Sequence, residues 1–418
     1  MNSRSTRALA LAGTVVIGLV VSAPGASAAD TGNAFEAGVA AYKTVYPDLS
    51  DARARSAAAG ALARRAVYDA AAADGATFGG AWFDPTTGVV NLAATTDAAV
   101  SRAAALGKQY AVAVKAVKVK RSAAALEADA ADLRGSKDEL GKAAAGNVGI
   151  DVTTNEVVVA LPAARKAALA GEAKARGAKV VTASAPGSTA EPDAGCTTRA
   201  ACDWTIRAGA IMWRGTVASP TPWCSVGFTA RNSSNTRYVY TAGHCSTGIG
   251  INWGTGAQDI GPMSATMDSG VVDASIIQVT NSWFTSDSGG ESYIGTGTHS
   301  MNVTGVAPTV GYMVAGETVC LSANFTNPAG DNMCGVLGTN SDAGWRGMAR
   351  VDGLDACGGD SGGGWYWATG NSRVAYGIHS ASSFGCHGDG GGTNSWFTPI
   401  ASAKSLFQPT LNVEVRPL

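Results

Sequence analysis

The sequence predicts an all-β C-terminal domain preceded by a small α+β region, and three observations predict it. Short β-prone runs fill the C-terminal half: "WCSVGFTA", "RYVYTAG", "ASIIQVT", "GETVCLSA" and "RVAYGIHS". Gly/Asn/Ser/Thr turns separate them with almost no helical periodicity, which suits a sandwich or barrel. Composition also changes at "TASAPGSTAEPDAG", residues 182–195: beyond it lie one lysine, Lys404, nine of the ten tryptophans and all eight cysteines. A Pro/Gly/Ser/Ala run between two such compositions marks a linker. Before it, alanine-rich helical segments alternate with short strands.

In chain order, Arg4 and Arg7 precede an apolar run from Ala8 to Ala23 and then "ASA" at 26–28. That layout predicts a secretory signal peptide over residues 1–28, cleaved near Ala28. The run contains Gly13 and Gly18 and is short for a membrane span. "DARARSAAAGALARRAVYDAAAA" has high helix propensity. "GGAWFDPTTGVVNLAAT" predicts two strands around Asp84-Pro85, closed by Gly88. "EVVVAL" is a strand, and "AARKAALAGEAKARGAK" a helix ending at Gly177. Near the C-terminus "TPIASAKSLF" is the one short helix expected of the β-rich half.

A chain of 418 residues with 46% hydrophobic and 15% charged residues buries sizeable cores, in two or three domains. Its net charge of −1 offers no electrostatic attraction for nucleic acid or an acidic membrane surface. Eight cysteines (196, 202, 224, 245, 320, 334, 357, 386) in an exported chain imply disulfides. With no CxxC and only four histidines, metal-ligand spacing is lacking, and no cofactor is expected.

Chemistry concentrates in three pieces: "TAGHC" at 241–245, "VVDASII" at 271–277 and "GGDSGG" at 358–363. Singly each has a bland explanation as core histidine, turn cap or loop. Together they supply a base, His244, an orienting carboxylate, Asp273, and a nucleophile, Ser361. A serine hydroxyl is a weak nucleophile until an imidazole takes its proton, and a buried carboxylate sets that imidazole's tautomer. The surrounding glycines let the Gly359 and Ser361 amides point at a developing oxyanion.

In these motifs and their order the chain resembles the chymotrypsin-like serine proteases, over about residues 205–418. The 29 positions from His244 to Asp273, with "CSVGFTARNSSNTRYVYTAGHC" and "GETVCLSA", are similar to the bacterial streptogrisin and α-lytic protease branch. The resemblance implies a double β-barrel at 196–418, with His244 as base, Asp273 as orienting acid and Ser361 as nucleophile. Asp268 is the rival acid, set second because "DASII" leads into a buried strand. It also implies the pairs Cys224–Cys245, Cys320–Cys334 and Cys357–Cys386, leaving Cys196–Cys202 as a local loop. Residues 29–181 are similar to that branch's pro-regions, which help the enzyme fold and inhibit it; an independent binding domain is the alternative. The expected product is a secreted, monomeric serine endopeptidase acting on proteins or peptides, with its own pro-domain as partner. It would have no membrane attachment after signal cleavage. An esterase, or an inactive homologue that binds partners through the same cleft, are the rivals.

Specificity points two ways. Asp355 lies six residues before Ser361, where trypsin-like members carry a pocket-floor carboxylate that takes Arg or Lys. Yet "GIHSASS" places His379 before Ser380, the substrate-backbone position, and Ser382 two beyond. That resembles the glutamate-specific bacterial members, in which imidazole and hydroxyls bind the acidic guest. An Asp355–His379 contact would reconcile the two by neutralising the floor. For self-processing, Glu191 would suit an acid cutter, and Arg199 or Arg207 a base cutter. The α-lytic branch has an Arg after the cysteine matching Cys320, where this chain has Leu321. Asp360 therefore needs another cation: Arg346, Arg350 or a freed N-terminal amine.

Overall fold

Two alanine-rich helices open the computed structural model after a first helix, α1 (Ala28–Val45): α2 (Asp51–Ala59) and α3 (Ala61–Ala72). The structure describes residues 28–144, 146–183, 206–216, 219–246, 248–256, 258–285, 290–293, 300–324, 333–369, 372–383, 393–407 and 410–416. Most of the expected signal peptide, most of the expected linker with Glu191, and Arg199, Cys196, Cys202 and Cys386 lie outside those residues. The single helix expected over 51–73 is broken at Gly60, which caps both α2 and α3. A side chain there would meet Arg64 Nη1 at 2.8 Å, and glycine is among the poorest helix formers.

The rest of the N-terminal half is one plan used twice, which the sequence pattern alone did not disclose. Strands β1 (Phe78–Asp84) and β2 (Val89–Ala94) form a hairpin; helix α4 (Asp97–Gln109) then crosses to β3 (Val114–Lys118), parallel to β2. After α5 (Ala123–Gly135) and α6 (Glu139–Ala144), β4 (Val148–Asp151), β5 (Glu156–Leu161), α7 (Ala163–Ala175) and β6 (Ala178–Thr182) repeat it. Both hairpins turn on an aspartate: Asp84 Oδ1 accepts from Thr86 N and Asp151 Oδ1 from Thr153 N, each at 2.9 Å. Four residues on, the left-handed position falls to Gly88 (φ 70°) and Asn155 (φ 58°), residue types that tolerate it.

The C-terminal half is a double β-barrel, as expected. Its first sheet comprises β7 (Ile211–Thr216), β8 (Ser219–Ser225), β9 (Thr229–Arg231), β10 (Arg237–Thr241), β11 (Asn252–Thr255), β12 (Gln258–Ser269) and β13 (Val272–Gln278). "WCSVGFTA" is bent rather than one strand, so β8 pairs with β7 while β9 pairs with β10 on the far side. Gly227 N donates to Tyr240 O across that bend at 2.8 Å. Val226, Phe228, Tyr240, Trp253 and Ile276 fill the interior.

A short helix α8 (Ser282–Thr285), a ribbon of β14 (Glu291–Tyr293) with β15 (Ser300–Asn302), and β16 (Gly305–Val306) lead to the second barrel. That barrel runs β17 (Thr318–Ser322), β18 (Met333–Asp342), β19 (Met348–Asp352), β20 (Gly364–Thr369), β21 (Ser372–Ser382) and β22 (Asn394–Pro399). The β21–β22 pairing closes it. Val319, Leu337, Val351, Trp365, Tyr376 and Phe397 form its core. Helix α9 (Ile400–Phe407) and β23 (Asn412–Val413) return the chain to the first barrel, where β23 pairs with β9. Among the described residues no helix is long and apolar enough to cross a membrane.

The N-terminal half packs on the second barrel around a buried ion pair. Arg64 on α3 donates twice to Glu317, at 2.6 Å each, and Tyr68 OH donates to the same carboxylate at 2.7 Å. Arg64 also stacks on Phe83, 3.8 Å from the ring centre, while Phe83 N donates to Ala315 O at 2.8 Å. Val314 and Val336 of the barrel share a core with Tyr42 and Phe83. Removing one partner of such a pair leaves a buried charge uncompensated. Glu317→Gln should therefore destabilise the full chain by about 3–5 kcal/mol, measured from urea unfolding. A change under about 1 kcal/mol would mean that water reaches Arg64.

Candidate active site

The glycine-rich loop between β19 and β20 belongs to the second barrel but is tied to both. Ser225 N, at the end of β8, donates to Ser361 O at 2.8 Å, and Gly362 N donates to His379 O on β21 at 2.9 Å. Gly359 (φ 90°) and Gly362 (φ 89°) hold left-handed backbone that other residues strain to adopt. A Cβ on Gly362 would stand 2.1 Å from Thr241 Oγ1 and 2.5 Å from Ser225 O. The glycines thus bring the Ser361 turn against the first barrel.

His244 follows β10, in the turn stapled by the Cys224–Cys245 disulfide. Gly243 lets that turn approach β12: a Cβ would lie 2.0 Å from Met267 O. Asp273 stands at the start of β13, 1% exposed. Its Oδ1 accepts from His244 N at 2.8 Å and its Oδ2 lies 2.7 Å from His244 Nδ1. On the other side of the ring, His244 Nε2 lies 2.7 Å from Ser361 Oγ. The three residues therefore form one continuous hydrogen-bonded chain from carboxylate to hydroxyl.

Electrostatics set the direction of the protons. Burial pushes the Asp273 carboxyl up, but hydrogen bonds and charge from His244, with the Ser380 hydroxyl, hold it below the usual carboxylate range. An ionised Asp273 accepts a hydrogen bond from Nδ1–H and so keeps that proton on Nδ1, which leaves Nε2 to accept from Ser361 Oγ–H. Burial lowers the His244 imidazole, yet the hydrogen bond to Asp273 and its charge leave it above the ordinary histidine value.

Ser380, which the resemblance implies as a substrate-backbone residue, donates its hydroxyl to Asp273 Oδ2 at 2.5 Å. Thr398 on β22 was not foreseen. It accepts from Asp273 N at 2.8 Å and donates to Asp273 O at 3.0 Å, holding the acid's backbone. No local pattern signals it, because 125 positions separate the pair. Among the described residues neither the Gly359 nor the Ser361 amide donates a hydrogen bond. Asp268, the rival acid, pairs with Arg346 at 2.6 Å instead of with His244.

The two guest-reading candidates sit on adjoining backbone. Asp355 is half-buried in a stretch pinned by Ser395 Oγ donating to Leu354 O (2.9 Å) and Ala356 N donating to Ser382 Oγ (3.2 Å). Among the described residues the expected Asp355–His379 contact does not form. His379 is 2% exposed, and its Nδ1 accepts from Trp365 Nε1 at 3.2 Å. Burial, aided by the positive field of His244, drives its pKa down to about 3.

The cation expected for Asp360 is neither Arg346 nor Arg350. Arg350 serves Asp352 and Asp342, Arg346 serves the Asp268 turn, and Asp360 Oδ2 accepts from Cys357 N at 2.8 Å. Cys320–Cys334 forms as expected, joining β17 to β18. Cys357 is disulfide-bonded; Cys386, its expected mate, falls outside the described residues.

No protein-family model matches the chain, and no curated protein matches it. Among solved structures the chain is similar to the Nocardiopsis protease NAPase, at 23% identity over 50% of this chain and 100% of that one, with a TM-score of 0.39. It is also similar to the murine norovirus NS6 protease, at 12% identity over 41% of this chain and 88% of that one, with a TM-score of 0.24.

Proposed function

We propose that the chain is the precursor of a secreted serine endopeptidase, which hydrolyses peptide bonds through an acyl-enzyme intermediate. One observation carries this: the unbroken Asp273–His244–Ser361 hydrogen-bonded chain, with both ring contacts at 2.7 Å. Ser361 Oγ attacks the carbonyl carbon as His244 Nε2 takes its proton, and the Gly359 and Ser361 amides receive the oxyanion. The imidazolium then gives that proton to the leaving amine. Water, deprotonated by the same nitrogen, releases the acid and restores Ser361. Residues 29–181 act as the pro-domain, docked through Arg64 and Glu317.

For the guest residue before the cut bond we favour Arg or Lys, read by Asp355. Asp355 stands six residues before Ser361, where a carboxylate reads a basic guest, and a His379 with a pKa near 3 adds no positive charge to repel that guest at neutral pH. The second candidate is glutamate, read by His379 and Ser382. The Trp365 Nε1–H donation to Nδ1 favours it, because the His379 proton then sits on Nε2 as an uncharged donor.

Matched peptides with Arg, Lys, Glu or Phe before the cut bond separate these cases, measured as kcat/KM on the processed protein. Preference for Arg or Lys, lost in Asp355→Ala, is expected. Preference for glutamate, lost in His379→Ala, makes His379 the reader. Faster cleavage of matched esters with no peptide turnover identifies an esterase. Failure of a fluorophosphonate to label Ser361 identifies a binding module and ends the protease proposal.

A further inference from the structure

Arg346 has no place in the chemistry above, yet its side chain spans the two barrels. It sits in the turn between β18 and β19 with left-handed backbone, φ 56°, a conformation unfavourable for a non-glycine residue. From there the guanidinium crosses to the β12–β13 hairpin. Nε donates to Gly270 O at 2.6 Å, Nη1 to Asp268 Oδ1 at 2.6 Å and Nη2 to Val272 O at 2.8 Å. Asp268 faces Asp273 directly across that ladder, and Val272 is the residue before Asp273. Five planar donors on a rigid fork suit three acceptors on one turn, which a lysine does not reproduce.

The N-terminal half holds the same turn. Arg346 N donates to Asn147 Oδ1 at 2.9 Å, and a Cβ on Gly347 would meet Val148 O at 2.5 Å. The backbone strain of Arg346 is thus offset where the N-terminal half meets the hairpin of the catalytic acid.

We propose that Arg346 is a positioning residue: it clamps the Asp268–Val272 turn of the first barrel to the second and balances the Asp268 charge opposite Asp273, from a backbone conformation that Asn147 also supports in the unprocessed chain. This rests on the serine-protease proposal. Among the described residues the charged and titratable groups around His244 are Asp273 on β13, Asp268 on β12, Arg346 in its turn and His379 on β21. Of these, Asp273 and Asp268 favour the imidazolium and Arg346 opposes it, while His379, uncharged where His244 titrates, adds no charge of its own. Loss of Arg346 leaves Asp268 unbalanced, so His244 holds its proton to higher pH. Only the neutral ring works as base, and activity at mildly acid pH falls.

The test is kcat/KM against pH for wild type, Arg346→Gln, Asp268→Asn and the double variant, with fluorophosphonate labelling of each. Arg346→Gln should move the acid limb to higher pH and lower the plateau by about ten- to a hundredfold, as small displacements of a catalytic group do. The double variant should restore the limb but not the plateau, since the Gly270 and Val272 carbonyls stay unclamped. An Arg346→Gln enzyme with wild-type limb and plateau overturns the proposal, as does a lowered plateau with an unmoved limb. If Arg346→Gln does not fold, Asp268→Asn alone decides, because its side chain is 44% exposed. Its limb should move to lower pH, and an unmoved limb overturns the proposal. Wild type that neither labels nor hydrolyses peptides would instead sink the protease proposal, a distinct result.

Discussion

Ser361→Ala should hydrolyse peptides about a millionfold more slowly than the parent enzyme, the size of loss expected when a nucleophile is deleted from a triad that acts as a unit. The substitution removes only Oγ. Ser361 O still accepts from Ser225 N, and Gly362 N still reaches His379 O, so the loop keeps its anchors in both barrels. His244 Nε2 loses its partner at 2.7 Å and Asp273 keeps its own. If the enzyme cuts itself, the variant should also accumulate as a secreted, unprocessed precursor, seen as a shift in mass of the secreted product. Normal maturation would assign processing to another protease. Undiminished hydrolysis would remove Ser361 from the mechanism.

Asp273→Asn should lower kcat by about 10⁴. The amide can still accept from His244 N, but an NH₂ facing Nδ1 meets a proton already there. The imidazole then favours the tautomer with its proton on Nε2, which cannot accept from Ser361. Ser380, whose hydroxyl donates to Oδ2, loses its acceptor as well. A pH profile makes the cause visible. In the parent, kcat/KM should fall as pH drops through a His244 pKa above the ordinary histidine value, because Asp273 stabilises the imidazolium. With the charge gone, that limb should move to lower pH. A variant that keeps both rate and limb would show that the carboxylate is dispensable.

The local motifs were legible because their chemistry is local. "TAGHC" and "GDSGG" each package a reactive side chain with the glycine or cysteine its turn requires, and those demands appear within five residues. The Ala-rich helices and β-prone runs were equally visible, down to the turns closed at Gly88 and Gly177. The hidden duplication of the N-terminal plan was not. Asp84 with Gly88 and Asp151 with Asn155 satisfy the same turn with different residues, so the shared requirement is one of backbone conformation rather than residue identity.

The strand-rich class of the C-terminal half is readable from the sequence alone, and so are the three segments carrying His244, Asp273 and Ser361, which the structure joins in one hydrogen-bonded chain. Their surroundings come from the packing of the barrels. Thr398 and Ser380 brace Asp273 from β22 and β21, Trp365 sets the proton on His379, and Arg346 takes Asp268 rather than Asp360. These partners come from strands or turns 14 to 125 positions apart. Their roles depend on barrel closure and on how two barrels meet, which many sequences of the same pattern could satisfy with other residues. A hydrogen bond between distant side chains leaves no periodicity in the chain, so its donor and acceptor became identifiable only once the barrels had brought them together.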